Sequence, residues 1–175
     1  MKNIFLTLTL FFAIALSAQV AIGKTSISSP AVSLEFYDNA DNTRGIILPW
    51  VTNTAAVTGA VNGTLVYNTA DKKIYVKYAS GWRDLSVDNT GTVTTTLQDS
   101  LTDQDTAKVL IGGDPATDTT PGILVLADTN KAMVLPKVAS PHLNIVNPSP
   151  GMMVYDTTKK QLAVFNGTVW SFWKP

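Results

Sequence analysis

The apolar residues of this chain fall in short runs that alternate with polar positions and end at Gly, Pro, Asn or Asp. The clearest case lies between Thr64 and Lys77. Thr64-Leu65-Val66-Tyr67 is followed by a polar connection, Asn68 to Lys72, and then by Lys73 to Lys77. Two runs of strand formers joined by so short a polar stretch predict a β-hairpin. A tight turn at Ala79-Ser80-Gly81 leads on to Trp82 in a further strand. Upstream, Val20 to Ile22, Ser33 to Tyr37 and Ile46 to Leu48 predict three brief strands. The last is stopped by Pro49, which has no N–H to give to a ladder.

The same pattern recurs. Gly63 to Thr69 matches Gly151 to Thr157 at an offset of 88, which also carries Ile74 onto Leu162, Val76 onto Val164 and Trp82 onto Trp170. Asp41 to Pro49 matches Asp128 to Pro136 at an offset of 87, and Val20-Ala21-Ile22-Gly23 falls on Val109-Leu110-Ile111-Gly112 at 89. One order of landmarks kept over so long a stretch is a tandem duplication. The organisation predicted is a leader at 1–18, a first β repeat at 19–85, a linker or stalk at 86–108 and a second β repeat at 109–175. In the second copy the hairpin runs over Met152 to Tyr155 and Gln161 to Phe165, and Asn166-Gly167-Thr168 turns into Trp170. The 86–108 segment is rich in Thr and Asp and poor in aromatics. It reads as a solvated spacer, with Val93, Leu97 and Leu101 spaced for a short helix or stalk strand.

Composition supports an all-β class. Charged residues make up 15% of the chain, and Glu35 is its one glutamate. Solvated amphipathic helices usually carry Glu/Lys-rich faces, so they cannot be the main element here. The leader begins with Lys2, continues through an apolar run from Ile4 to Leu16 and offers a small-residue cleavage site ending at Ala18. This is the pattern of a secretory signal, and the run is too short to span a bilayer comfortably. The expected mature protein is exported: extracellular, at the cell surface, or periplasmic, with no transmembrane segment. Cysteine is absent, which excludes disulfides, thiol catalysis and a lipidated cysteine. The 13 basic and 13 acidic residues leave no positive excess to attract nucleic acid.

These landmarks resemble a repeat of secreted and surface proteins from Bacteroidota-type bacteria and of phage tail-fibre-like proteins. The matching pieces are Val20 to Thr25, Leu48-Pro49-Trp50-Val51-Thr52, Gly63 to Thr69, and Phe165-Asn166-Gly167-Thr168-Val169-Trp170. The resemblance covers nearly all of the chain after the leader except the linker. It implies a structural or adhesive part, fibrous and homotrimeric, with no catalytic residues.

Little in the sequence points to catalysis. His142 is the one histidine, set between proline-punctuated segments, and reads as a surface loop residue. Ile111-Gly112-Gly113-Asp114 reads as a strand end and turn. Asp38 to Asn42, Asp114 and Asp118 could offer oxygen to calcium, but they lack the twelve-residue loop with its terminal Glu and read as turn formers. No enzyme activity, cofactor or metal is expected. Trp82 and Trp170 hold equivalent places and read as core anchors, whose loss would unfold one copy locally if the linker uncouples the two. Trp50 and Trp173 are not matched between the copies; Trp50 is the candidate ligand contact, for example stacking on a sugar ring, beside the reading that it packs between subunits. Asp99-Ser100-Leu101 and Asp105-Thr106-Ala107 resemble sites of O-glycosylation, at Ser100 and Thr106. Small repeats with open strand edges need further burial. The expectation is therefore an elongated, homotrimeric, all-β surface protein of two tandem hairpin-rich units, with a structural or adhesive role. Its partners would be copies of itself and a surface glycan or surface protein. The alternative is a monomeric two-domain carbohydrate-binding module that uses exposed aromatics.

Overall fold

The structure, a computed structural model, describes residues 19–102, 104 and 106–174. The leader expected at 1–18 lies outside them. Each copy lays down seven strands in one order. The first copy holds β1 (Val20–Ile22), β2 (Val32–Phe36), β3 (Ile46–Ile47), β4 (Trp50–Val51), β5 (Leu65–Asn68), β6 (Lys73–Tyr78) and β7 (Gly81–Asp84). The second holds β8 (Val109–Ile111), β9 (Leu124–Leu126), β10 (Ala132–Val134), β11 (Lys137–Val138), β12 (Met152–Asp156), β13 (Gln161–Phe165) and β14 (Trp170–Trp173). Among the described residues the helical elements are a 3-10 turn at Thr54–Ala56 and a four-residue helix, α1, at Pro141–Asn144. The fold is all-β.

The predicted hairpins form. β5 pairs antiparallel with β6, and β6 with β7; β12 pairs with β13, and β13 with β14. Both hairpin turns are built alike. Asn68 Oδ1 accepts the N–H of Ala70 at 2.9 Å, and Asp156 Oδ1 accepts that of Thr158 at 2.9 Å. A short polar side chain that closes the turn on its own backbone is the reason Asn and Asp suit this place. Each turn ends on a left-handed lysine, Lys72 (φ 61°) and Lys160 (φ 55°).

One element escapes the periodicity altogether. β4 and β11 follow the proline of each Leu-Pro and run parallel to β5 and β12. The N–H groups of Tyr67 and Tyr155 donate to the carbonyls of Pro49 and Pro136, each at 2.9 Å. Strands of two residues carry no readable alternation.

The larger surprise is how the copies meet. β2 of the first copy pairs parallel with β10 of the second, and β3 pairs antiparallel with β12. The core follows the same plan. Leu48, Tyr67, Ile74 and Leu85 from the first copy pack with Met153 and Val164 from the second. A second cluster, Val138, Ile145, Met152, Val154, Ala163 and Phe165, lies on the other face of β12 and β13. The β12–β13 hairpin is thus covered on both sides, which accounts for its unbroken apolar run, Met152-Met153-Val154. The sequence suggests two units held apart by a spacer. In the structure they share a sheet edge and a core.

The 86–108 segment divides in two. Its first part is packed: Val93 lies against the shared core and Gly91 is buried. A Cβ added at Gly91 would stand 2.6 Å from the carbonyl oxygens of both Lys72 and Asn166. Beyond it Leu97 and Leu101 are 89% and 71% exposed, the first in a turn and the second just after it, neither in a helix.

Candidate functional site

The features that could act on another molecule are the seam between the two copies and the strand edges at its ends. The seam is made by side chains from both. Tyr67 donates its hydroxyl to Asn166 O at 2.9 Å with both residues buried. Trp50 Nε1 donates to Pro150 O at 2.9 Å, and its ring lies 5.9 Å from that of Tyr67. Gly151 turns here with φ 81°, and a Cβ on it would meet Tyr67 Cβ at 2.9 Å. Only glycine permits both that backbone and that approach.

An ionic group holds the other side of the seam. Glu35 is fully buried on β2; its Oε2 accepts the N–H of Ser28 at 2.7 Å and its Oε1 faces Lys24 Nζ at 3.0 Å. Lys24 also reaches Asp38 at 3.2 Å, and Lys137 of the second copy reaches Asp38 at 3.4 Å. Asn42 Nδ2 donates across to Lys137 O at 3.0 Å and to the carbonyls of Tyr37 and Arg44. Burial pushes the Glu35 carboxyl up, but the Ser28 N–H and Lys24 outweigh it and hold the group below its ordinary value. Glu35 in turn holds Lys24 above the usual lysine range, against the pull of desolvation. Asp38 is lowered by Lys24 first and by Lys137 as well. The group therefore stays ionised at neutral pH and closes on itself. Nothing in the sequence pattern pointed to it except that Glu35 is the one glutamate of the chain.

The residues singled out from sequence lie apart. Trp50 is half-buried and its indole N–H is engaged in the seam. Trp170 packs on Phe165, ring centroids 5.2 Å apart, against the second core cluster. Trp82 is half-buried but belongs to neither core cluster, so the expected equivalence of the two as core anchors does not hold. The tryptophans of the shared core are Trp50 and Trp173, those without a matching tryptophan in the other copy. His142 stands exposed on α1 rather than in a loop, with its ring edge-on to Phe172 at 5.6 Å. Ser100 and Thr106 are exposed in turns of the linker.

The acidic clusters are occupied by protein. Asp41 Oδ1 accepts the Tyr37 hydroxyl at 2.9 Å, Asp114 Oδ1 accepts the N–H of Ala116 at 2.9 Å, and Asp118 pairs with Lys108. No group of three His, Asp or Glu side chains placed to hold a metal ion occurs among the described residues. Nor, among them, is any helix long and apolar enough to cross a membrane. An open depression of about 590 Å³ lies next to the segment that leads into β3, lined by Ile22, Phe36, Tyr37, Arg44, Gly45 and Pro136 among others. Its lining carries one cation, Arg44, and one carboxylate, Asp41, whose Oδ1 is taken by the Tyr37 hydroxyl.

No curated protein and no solved structure matches the chain. Residues 114–174, which carry β9 to β14, match the family described as a phage tail like trimerisation region, and this part of the chain is similar to it.

Proposed function

We propose that this protein is an exported, non-catalytic structural component of tail-fibre type that assembles as a homotrimer and has an adhesive role at the cell surface. The observation that carries the reading is the match of residues 114–174 to a trimerisation region. Open strand edges at both ends of the repeat array support it, because an unpaired ladder favours association with another chain. The two-domain carbohydrate-binding alternative depends on a free aromatic surface, and Trp50 has its N–H committed to Pro150 O.

The test is the mass of the mature chain in solution, by light scattering on a sizing column. A species of three chains supports the reading, and a monomer at micromolar concentration overturns it. The adhesive part is tested separately on a glycan array and on intact cells. Binding by the oligomer is expected, and its absence from every surface would leave a structural role alone.

A further inference from the structure

Comparing equivalent positions of the two copies shows where each copy is incomplete. Leu34 on β2 is 1% exposed because β10 lies against it; Leu124, its counterpart on β9, is 48% exposed. The equivalence follows from register, since Leu34 faces Val20 and Leu124 faces Val109. The first copy is open in the opposite sense. Ile47 on β3 is 52% exposed, whereas its counterpart Val134 is half-buried beside β2. Met153 on β12 is 2% exposed under β3, while its counterpart Leu65 on β5 is half-buried with no such strand beside it. One end of the array lacks a third strand and the other end offers one.

The backbone has the right edges to match. Ala132 donates its N–H to Ala31 O at 2.8 Å, toward β2. Leu48 donates its N–H to Gly151 O at 3.0 Å, toward β12. The counterpart of Ala132 is Gly45, three positions before Leu48. Successive N–H groups of a strand alternate sides, so Gly45 and Ile47 turn theirs away from β12. The free edge of β3 therefore corresponds to the edge that β10 uses on β2. The groove lined by Ile22 and Gly45 reaches the residue that precedes β3.

We propose that β9 of one chain takes β3 of a second copy as its missing strand, in the parallel register that β2 and β10 already use. This rests on the homo-oligomeric reading above and says how the oligomer is made. The register follows from the pairs Met133↔Leu34 and Val134↔Glu35. Between chains it places Ile46 opposite Leu124 and Ile47 opposite Val125. The occupant is a second copy because the strand that fills this place on β2 comes from the repeat itself, and β10 is already used. The contact joins unlike surfaces, so it repeats from chain to chain and closes only as a ring. Three chains would then place six repeats in unbroken succession. Strand addition of this kind takes its affinity from main-chain hydrogen bonds and its selectivity from the side chains beside them.

Because the chain has no cysteine, disulfide trapping has no background. The full mature chain carrying both Ile47→Cys and Val125→Cys is oxidised mildly, and its bands are read under denaturing, non-reducing conditions beside its native mass. Partner residues on neighbouring strands lie about 5 Å apart, within disulfide reach. A ladder ending at a covalent trimer is expected, and Ile47→Cys alone should give none. A native trimer that yields only single-chain bands, whether its thiols stay free or pair within one chain, overturns this interface and leaves the trimer reading intact. A native monomer overturns both. In a second variant, Leu124→Asp, a charge on a half-exposed position should abolish the trimer while the far-UV spectrum of the chain is kept. A trimer that survives Leu124→Asp also counts against the interface.

Discussion

The indole N–H of Trp173 donates to the main-chain oxygen of Leu85 at 2.6 Å, and these two residues are counterparts, 88 positions apart in the repeat. The bond ties the last strand of the second copy to the end of the last strand of the first. Beside it, Ser171 donates its hydroxyl to Ser86 O, and Arg83 lies over the Trp173 ring at 5.5 Å. The end of each copy is thus completed by the other.

This predicts the ranking of the tryptophans. Trp173→Ala removes a ring from the shared core and leaves Leu85 O without its donor. It should cost about 3 kcal/mol, near the lower end for a truncated aromatic. Trp82→Ala, outside both clusters, should cost less, about 1 kcal/mol. Denaturant unfolding followed by far-UV signal measures both. Because the two copies share a core, the Trp173→Ala curve should move as one transition; two resolved steps would show that the copies unfold independently.

Tyr67 predicts an alkaline limit. Burial, with a smaller contribution from the Asp71 charge, pushes its phenol up from 10.0 to about 12. In the unfolded chain the phenol loses its proton near 10, while the folded chain keeps it to about 12. Over that window the unfolded state binds fewer protons, so stability falls as pH rises. The contribution is whole below pH 10 and is lost through about 12. Spectrophotometric titration of the 5 tyrosines should show Tyr67 and Tyr75 ionising late. Tyr67→Phe should remove one late step and cost about 1–3 kcal/mol at neutral pH, since Asn166 O loses its donor.

The linker should respond to mutation in two ways. Gly91→Ala forces a methyl against two carbonyl oxygens and should destabilise by about 1–3 kcal/mol, the usual effect of overpacking. Leu97→Ala and Leu101→Ala, at exposed positions, should change stability by no more than about 0.5 kcal/mol. Thermal melts of the three variants under one condition decide this. Equal effects would mean that 86–93 is no more a part of the core than 94–108.

Export and modification are read by mass. N-terminal sequencing of protein recovered from its native host should begin at Gln19 or within a few residues of it, and an intact Met1 on exported material would refute cleavage. We propose that Ser100 and Thr106, both exposed, carry O-linked glycan. An intact mass equal to that of the bare mature chain would refute this.

Acid should loosen the seam as well. Glu35 and Asp38 are both held below their ordinary values in the folded chain, so the unfolded state takes up protons first as pH falls. Stability from these groups is present above the ordinary carboxylate range and is lost as pH drops through the folded values. Glu35→Gln should flatten the acid limb of a stability profile, and an unchanged limb would place the acid sensitivity elsewhere.

Local signals made the elements legible. The hairpins, their turns at Asn68 and Asp156 and the strand at Ile46–Ile47 rest on short-range pattern, and the duplication on landmarks that recur at a nearly constant offset. The parallel strands β4 and β11 did not show, because two residues after a proline carry no period. The buried Glu35–Lys24 pair left one trace, the rarity of glutamate, which was open to a purely compositional reading. Trp82 and Trp170 occupy matching positions in sequence yet differ in surroundings, because the first copy meets the second on one side only.

The sequence by itself determined the class, the hairpins and the brief strands ahead of them in each copy, and the repetition. Each depends on neighbours a few residues apart, or on comparing one stretch of the chain with another. Only the tertiary structure decided that β2 pairs with β10, that β3 pairs with β12 and that Trp50 and Trp173 belong to a shared core. Hydrogen bonds between strands far apart in the chain leave no period in either strand. Equivalent residues acquire different environments only when one copy is laid against the next.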